Sequence, residues 1–301
     1  MAPTSANKKV VLITGANSGI GYEAALVLAK MDNTHVIVTG RSAERVQAAV
    51  DKIQPDAAST SSVEAGLLDL GSVKAIQAYA NQIKERGLTI DALMCNGGVT
   101  MSQKTFTTDG YESIFGINHL GHFYLVELLR DITRRIVIIS SETHDPDEHT
   151  TSPPPRMAVS DVEQLAHGYE DFVGGEAYST SKLCNLLLMK EFVRRFPNGP
   201  EFIAYTPGFT PTTGFLRELN VDVAKILMNC EEKGIPVSTP EASGGFMARL
   251  CVEDWAVNGW TSDMYIRVHT PYEPSKQSQD EELARTLWDK SEELVARALH
   301  A

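Results

Sequence analysis

The 301-residue chain alternates two hydrophobic patterns: short unbroken apolar runs, and longer stretches in which apolar residues recur every third or fourth position. Lys9–Ile13, His35–Thr39, Val63–Leu68, Ile90–Cys95, Arg135–Ser140 and Glu201–Thr206 are runs of the first kind. Continuous apolar character predicts strands buried on both faces, as in a parallel sheet covered by helices. Tyr22–Lys30, Ser42–Ile53, Gly71–Arg86, Asp109–Asp131 and Ala177–Phe196 carry the helical period between them. Beyond the sixth run, the pattern predicts one or two short helices over Thr213–Gly234 and a helix over Pro240–Leu250 capped by Thr239. A last strand at Met264–Val268 and an amphipathic helix over Asp280–Ala298 complete the chain. This alternation predicts an α/β, Rossmann-type doubly wound parallel sheet, with residues 1–301 as a single domain. Right-handed crossovers would bring the carboxyl ends of the strands to one edge, where such sheets bind ligands.

The residues at those ends are small or polar. Thr14-Gly15-Ala16-Asn17-Ser18-Gly19-Ile20-Gly21 joins the first strand to its helix, the layout in which a helix N-terminus receives a pyrophosphate. Gly15 permits the tight turn, Gly19 lets a phosphate approach, and Gly21 lets helix and strand pack closely. Gly15, Asn17, Ser18, Gly19, Ile20 and Gly21 are therefore expected to hold a dinucleotide. The second strand ends in Gly40-Arg41-Ser42, about twenty residues further on, where NAD-specific sheets place a carboxylate against the ribose 2′-hydroxyl. Here the carboxylate is absent. A guanidinium can fork onto a 2′-phosphate, so the expected cofactor is NADP(H), with Arg41 as its main phosphate ligand. The alternative is a solvated arginine opening the next helix. Asp69, followed by Leu70, would accept a hydrogen bond from an adenine amine or cap the following helix. Asn96-Gly97-Gly98, after the fourth strand, leaves room for a ligand against the backbone. Asn118 lies inside a helix, where asparagine is disfavoured, so a hydrogen-bonding role is expected. His119 and His122 lack an evident third ligand, and no metal is expected.

Tyr178 and Lys182 are four residues apart and share one helix face. A phenol is a poor acid or base near neutrality unless a neighbouring ammonium lowers its pKa, so the pair is a candidate for proton transfer.

Charge and cysteine usage narrow the partners. A net charge of -12 argues against nucleic acid and anionic membrane. The longest apolar runs are too short to span a bilayer, and Met1–Asn7 has no apolar core resembling a signal peptide. Cys95, Cys184, Cys230 and Cys251 are scattered without CxxC pairing, which predicts free thiols and a cytoplasmic protein.

Taken together, Thr14-Gly-xxx-Gly-x-Gly21, Asp69, Asn96-Gly97-Gly98, Asn118, Ser141, Tyr178-xxx-Lys182 and Pro207-Gly208-xxx-Thr212 resemble the short-chain dehydrogenase/reductase family, in the family's order. The resemblance implies a catalytic set of Asn118, Ser141, Tyr178 and Lys182. In it Tyr178 is the acid in carbonyl reduction and the base in alcohol oxidation, and Ser141 hydrogen-bonds the substrate oxygen. Lys182 would lower the tyrosine pKa and hold the nicotinamide ribose, and Asn118 would support a water relay to Lys182. Pro207, Gly208 and Thr212 would border the nicotinamide, with Thr212 on its carboxamide. A substrate lid is implied over 213–238, and homo-oligomers are common among relatives, often through the helices holding Asn118 and Tyr178.

Tyr178 follows Ser141 by 37 residues, more than the family usually needs. An insertion over 142–176 is therefore expected, as a flap over the substrate or as a surface loop. Phe215, Leu216, Leu219, Ile226, Leu227 and Met228 would line a greasy pocket or belong to the core. Ser181-Lys182-Leu-Cys184-Asn185, Thr212-Thr213-Gly214-Phe-Leu-Arg217-Glu218 and the ending Trp288-x-x-Ser291-Glu-x-Leu294-Val295 are similar to the light-dependent protochlorophyllide oxidoreductase branch of the family. That branch has a cysteine after the Pro-Gly, where this chain has Phe209. The expectation is therefore an NADP(H)-dependent enzyme of a sister branch, interconverting a bulky hydrophobic ketone and a secondary alcohol in specialised metabolism. The alternatives are the photochemical reductase and a non-catalytic nucleotide-binding protein.

Overall fold

In the computed structural model, which describes residues 8–148, 150, 152–158, 161–211 and 222–301, β1 (Lys9–Ile13) lies inside an eight-stranded sheet. It pairs in parallel with β2 (Thr34–Gly40) on one side and β4 (Ala92–Cys95) on the other. The sheet order is β3-β2-β1-β4-β5-β6-β7-β8, with β3 at Ser62–Leu67, β5 at Arg135–Ile139 and β6 at Glu201–Thr206. The final pair, β7 (Tyr265–Arg267) and β8 (Thr270–Pro271), forms an antiparallel hairpin. β8 is too short and polar to register in the hydrophobic pattern, and only β7 was expected there.

Side chains that alternate across each strand enter two separate cores. Leu12, Leu93, Ile136 and Ile138 face one core, and Val11, Ile13, Val137 and Ile139 the other. The second core is closed by α1 (Gly19–Lys30), α2 (Ala43–Ile53) and α9 (Pro240–Val252). On the first face lie α3 (Val73–Glu85), the short α4 (Ser113–Phe115), α5 (Gly121–Leu129), α7 (Gly174–Arg195) and α10 (Glu281–His300). This is a doubly wound Rossmann-like sheet in one domain.

The helix expected over Asp109–Asp131 differs in two ways. It begins at Ser113, because the Glu112 carboxylate accepts hydrogen bonds from the Ile114 and Phe115 amides, both at 2.8 Å. It is also interrupted: α4 and α5 are joined by a π-helical turn, Gly116–Leu120, which carries Asn118. Such turns recur at functional sites.

α10 lies along α7 and reaches across to α5 and Tyr111. Trp288 stands edge-on to Phe123 at 5.0 Å, and the Tyr111 hydroxyl donates to the Leu294 carbonyl at 2.6 Å. The described part of 142–176 alternates exposed turns with stretches packed on the body. Its α6 (Val162–His167) buries Val162, Leu165 and Ala166, and Arg297 pairs with Glu163 at 2.7 Å. After β6, α8 (Val223–Lys233) leaves Leu227 and Met228 exposed, so these two are not core. Phe215, Leu216 and Leu219 lie outside the described residues. Among the described residues no helix is long and apolar enough to cross a membrane, and the four cysteines are free and buried.

Candidate active site

The glycine loop turns directly off β1. Gly15 has φ +65°, and a Cβ there would stand 2.7 Å from the Gly97 Cα, so the loop and the end of β4 are in backbone contact. Gly21 serves packing in the same way: a Cβ would fall 2.5 Å from the Asn96 Nδ2. Asn96 Nδ2 donates to the Thr14 carbonyl at 2.8 Å, and the Thr14 hydroxyl accepts from the Asn96 and Gly97 amides at 2.9 and 2.8 Å. Ser18 is extended at the N-cap of α1, and its side chain makes no capping bond. The first amides of α1 are thus left for an anion, and no acidic residue lies in the first turn to repel one. Ile20 packs against the core beneath. These features fit the pyrophosphate of a dinucleotide.

Asn17 leans over the end of β2, its Oδ1 placed 2.8 Å from where a Gly40 Cβ would be. Arg41 follows, exposed, and makes no ion pair among the described residues. The even choice at Asp69 is decided against capping. Its Oδ1 accepts from the Gly71 amide at 2.9 Å, while Ser72 caps α3 by accepting from Ala75. The next residue, Leu70, is buried between Gly97 and Gly121. Pro207 and Gly208 leave β6, and the Phe209 amide bonds the Pro236 carbonyl at 2.8 Å. Thr212 lies outside the described residues.

Asn118, Ser141, Tyr178 and Lys182 meet beside β5. Asn118 clasps Val99 from both sides, accepting from its amide at 2.7 Å and donating to its carbonyl at 2.9 Å. It also donates to the Ser181 hydroxyl at 3.0 Å, which in turn donates to the Tyr178 carbonyl at 2.7 Å. The Ser141 hydroxyl stands near the Tyr178 phenol and lowers its pKa. Burial nevertheless raises the phenol above its ordinary range, outweighing the lowering by Ser141. Lys182 is buried, and desolvation pulls its pKa down to about 7. Its Nζ donates to the Ile139 carbonyl at 3.0 Å and lies 5.3 Å from the centre of the Tyr178 ring. The phenol is therefore a proton-bearing acid, next to a lysine poised to titrate near neutrality.

The segment after Ser141 is anchored by contacts that sequence spacing does not show. His144 is buried, donates through Nδ1 to the Ser141 carbonyl at 2.6 Å and accepts from the Ser275 amide at 3.1 Å. Both ring nitrogens are committed within the protein, and no metal-binding cluster occurs among the described residues. Arg267, on β7, spans Glu142 at 3.0 Å and Glu148 at 3.1 Å. Burial raises the Glu142 pKa, and Arg267 opposes that rise. Arg267→Leu is expected to cost about 3 kcal/mol, because it strands a buried carboxylate. The sign with pH follows. Without its partner, Glu142 has a still higher folded pKa, so its stability is retained in acid and lost as pH rises. Thermal melts should show a deficit largest at pH 8 that shrinks toward pH 5; a deficit constant with pH would contradict the ion-pair origin.

A short chain dehydrogenase model matches residues 9–150. The chain is 33% identical over 317 residues to protochlorophyllide reductase A, chloroplastic, of Oryza sativa subsp. japonica, covering 95% of this chain and 80% of that one. It is also 33% identical to the human WW domain-containing oxidoreductase over 297 residues, with 97% and 69% covered. An uncharacterised protein from Mycobacterium paratuberculosis, known as a crystal structure, superposes with a TM-score of 0.71 at 27% identity, covering 96% of this chain and 93% of that one. Fold and relatives together define an oxidoreductase built on an NAD(P)-binding sheet. The chain belongs to the short-chain dehydrogenase/reductase family.

Proposed function

We propose that this enzyme uses NADP(H) to interconvert a bulky hydrophobic ketone and its secondary alcohol, with Tyr178 as the acid/base. The observation that carries the reading is the cluster in which Ser141 stands by the Tyr178 phenol and the buried Lys182 lies against its ring. A bound nicotinamide supplies or accepts the hydride. The chain's part is to orient and to move a proton. Ser141 holds the carbonyl oxygen beside Tyr178, the phenol protonates that oxygen, and Lys182 restores the proton. Asn118 keeps the loop at Val99 and the helix turn at Ser181 in register. Asp69, Leu70, Asn96, Gly97, Pro207, Gly208 and Thr212 would line the cofactor groove, and Arg41 would meet its 2′-phosphate. The exposed Leu227 and Met228 supply apolar surface in the segment assigned as a lid, which supports a hydrophobic substrate. The free cysteines fit the cytoplasm.

A second reading, light-dependent protochlorophyllide reduction, is favoured by the identity to that plant reductase. Two features count against it. Phe209 replaces the cysteine of that branch, and Cys184 is a buried thiol whose pKa burial raises, packed on the Met157 sulfur at 3.8 Å. NADPH consumption in the dark over a panel of bulky cyclic ketones separates the readings. Turnover supports the carbonyl reductase. Activity on protochlorophyllide only under illumination would replace it, and NADPH binding without any turnover would leave a nucleotide-binding protein.

The faces of α5 and α7 that family members often use for assembly carry α10 of the same chain, through Phe123, Phe192 and Trp288. Light scattering is expected to give a monomer of 32.9 kDa. A dimer dissociated by Trp288→Ala would show instead that α10 builds an interface.

A further inference from the structure

Two buried histidines on the Asn118 helix take no part in the proposed chemistry. His119 is a docking residue: its Nε2 donates to the Ser291 hydroxyl at 3.0 Å, whose own proton goes to the Leu287 carbonyl at 2.7 Å. His122 sits differently. Its Nδ1 is 3.1 Å from the Asn118 carbonyl, and its Nε2 is 2.8 Å from the Thr14 hydroxyl.

The protons in this chain follow by elimination. A carbonyl only accepts, so Nδ1 carries a hydrogen. The Thr14 oxygen already accepts from the Asn96 and Gly97 amides, which occupies both of its lone pairs. A hydrogen on Nε2 would find no lone pair there, so Nε2 is bare and receives the Thr14 proton. The other acceptor for that proton, the Met94 carbonyl, is more distant at 3.3 Å. The ring is therefore neutral. Burial above all, with Lys182 adding to it against the Asn118 hydrogen bond, keeps its pKa down at about 4.

We infer that His122 is a positioning residue that aims both Thr14 lone pairs at the Asn96 and Gly97 amides and ties the dinucleotide loop to the Asn118 backbone. The role rests on the assignment of that loop to NADP(H). It couples two parts of the site that are far apart in sequence: the cofactor cradle and the π turn of the catalytic helix.

Each half of the link can be kept alone. Glutamine at 122 reaches as far as Nε2 and can still accept from Thr14; asparagine reaches only as far as Nδ1 and can still donate to Asn118. By NADPH fluorescence titration, His122→Gln and Thr14→Ser are expected to bind within about threefold of the native chain, and His122→Asn and Thr14→Val about tenfold more weakly. The double variant H122N/T14V should be no weaker than T14V alone. Long-range 15N–1H spectra of the native protein should show His122 as the Nδ1–H tautomer from pH 5 to 8, its signals identified by their loss in H122N. An Nε2–H tautomer or an imidazolium would overturn the inference. So would equal losses in the Gln and Asn variants, or full binding by both. Should the 122 variants not fold, the Thr14 pair and the native spectra decide. A native chain that binds no nicotinamide nucleotide would remove the cofactor assignment, and the spectra would still test the hydrogen-bond chain separately.

Discussion

Tyr178→Phe is expected to lower carbonyl turnover by about a thousandfold while leaving NADPH affinity nearly unchanged, since a positioned general acid contributes roughly 10²–10⁴. The phenol is the group in the cluster best placed to give a proton. Burial raises its pKa, and the Ser141 hydroxyl lowers it by less, so at neutral pH it is protonated. That is the form a carbonyl oxygen requires. Phenylalanine keeps the ring against which Lys182 rests and removes only the hydroxyl, so a fold change is not expected to confuse the result. Turnover retained within about threefold would exclude Tyr178 as the acid, because even the weakest general-acid contribution is larger. Turnover and NADPH binding lost together would mean that the phenol holds the cofactor rather than the proton.

The strand pattern made the sheet legible because a doubly covered parallel sheet has no polar face to interrupt its apolar runs. Val10 to Ile13 are buried, although alternate residues enter different cores. Helix ends were less legible, because caps act at a distance of two or three residues. Glu112 displaced the start of the Asn118 helix in this way, and Ser72 took the capping role that the sequence left open to Asp69. The π turn at Gly116–Leu120 has no compositional signature, and an asparagine out of place in a helix was its single trace.

For the candidate site, spacing puts Tyr178 and Lys182 on one face of a helix but says nothing of their electrostatics. Ser179, Thr180 and Ser181 look like a solvated helix face, yet all three are buried beside Lys182. The expected effect, an ammonium lowering a phenol, is therefore reversed in emphasis. Desolvation dominates both groups, pushing the tyrosine up and the lysine down to about 7. The roles of His122, His144 and Arg267 were not legible for a different reason. Each acts through partners more than a hundred residues away in sequence: Thr14, Ser275 and the Glu142–Glu148 pair. A pairing of that kind becomes visible only when the sheet edge is assembled.

Arg41→Ala is expected to weaken NADPH binding by about 10–100-fold and to leave NADH within about threefold, since a hydrogen bond to a charged group contributes roughly 1.5–3 kcal/mol. The argument is one of position and availability. Arg41 directly follows β2, next to Gly40 over which Asn17 leans, and no carboxylate among the described residues pairs with it. An arginine without a partner in a chain of net charge -12 is available to a phosphate, and its planar fork suits one. Exposure limits the effect: salt should weaken NADPH binding more steeply in the native chain than in the variant, because the contact it screens is present in one and missing in the other. Titrations of both nucleotides at two ionic strengths test this directly. Equal losses for NADPH and NADH would assign Arg41 to the fold of the α2 N-terminus rather than to the 2′-phosphate, and a variant with unchanged selectivity would place the discrimination elsewhere in the groove.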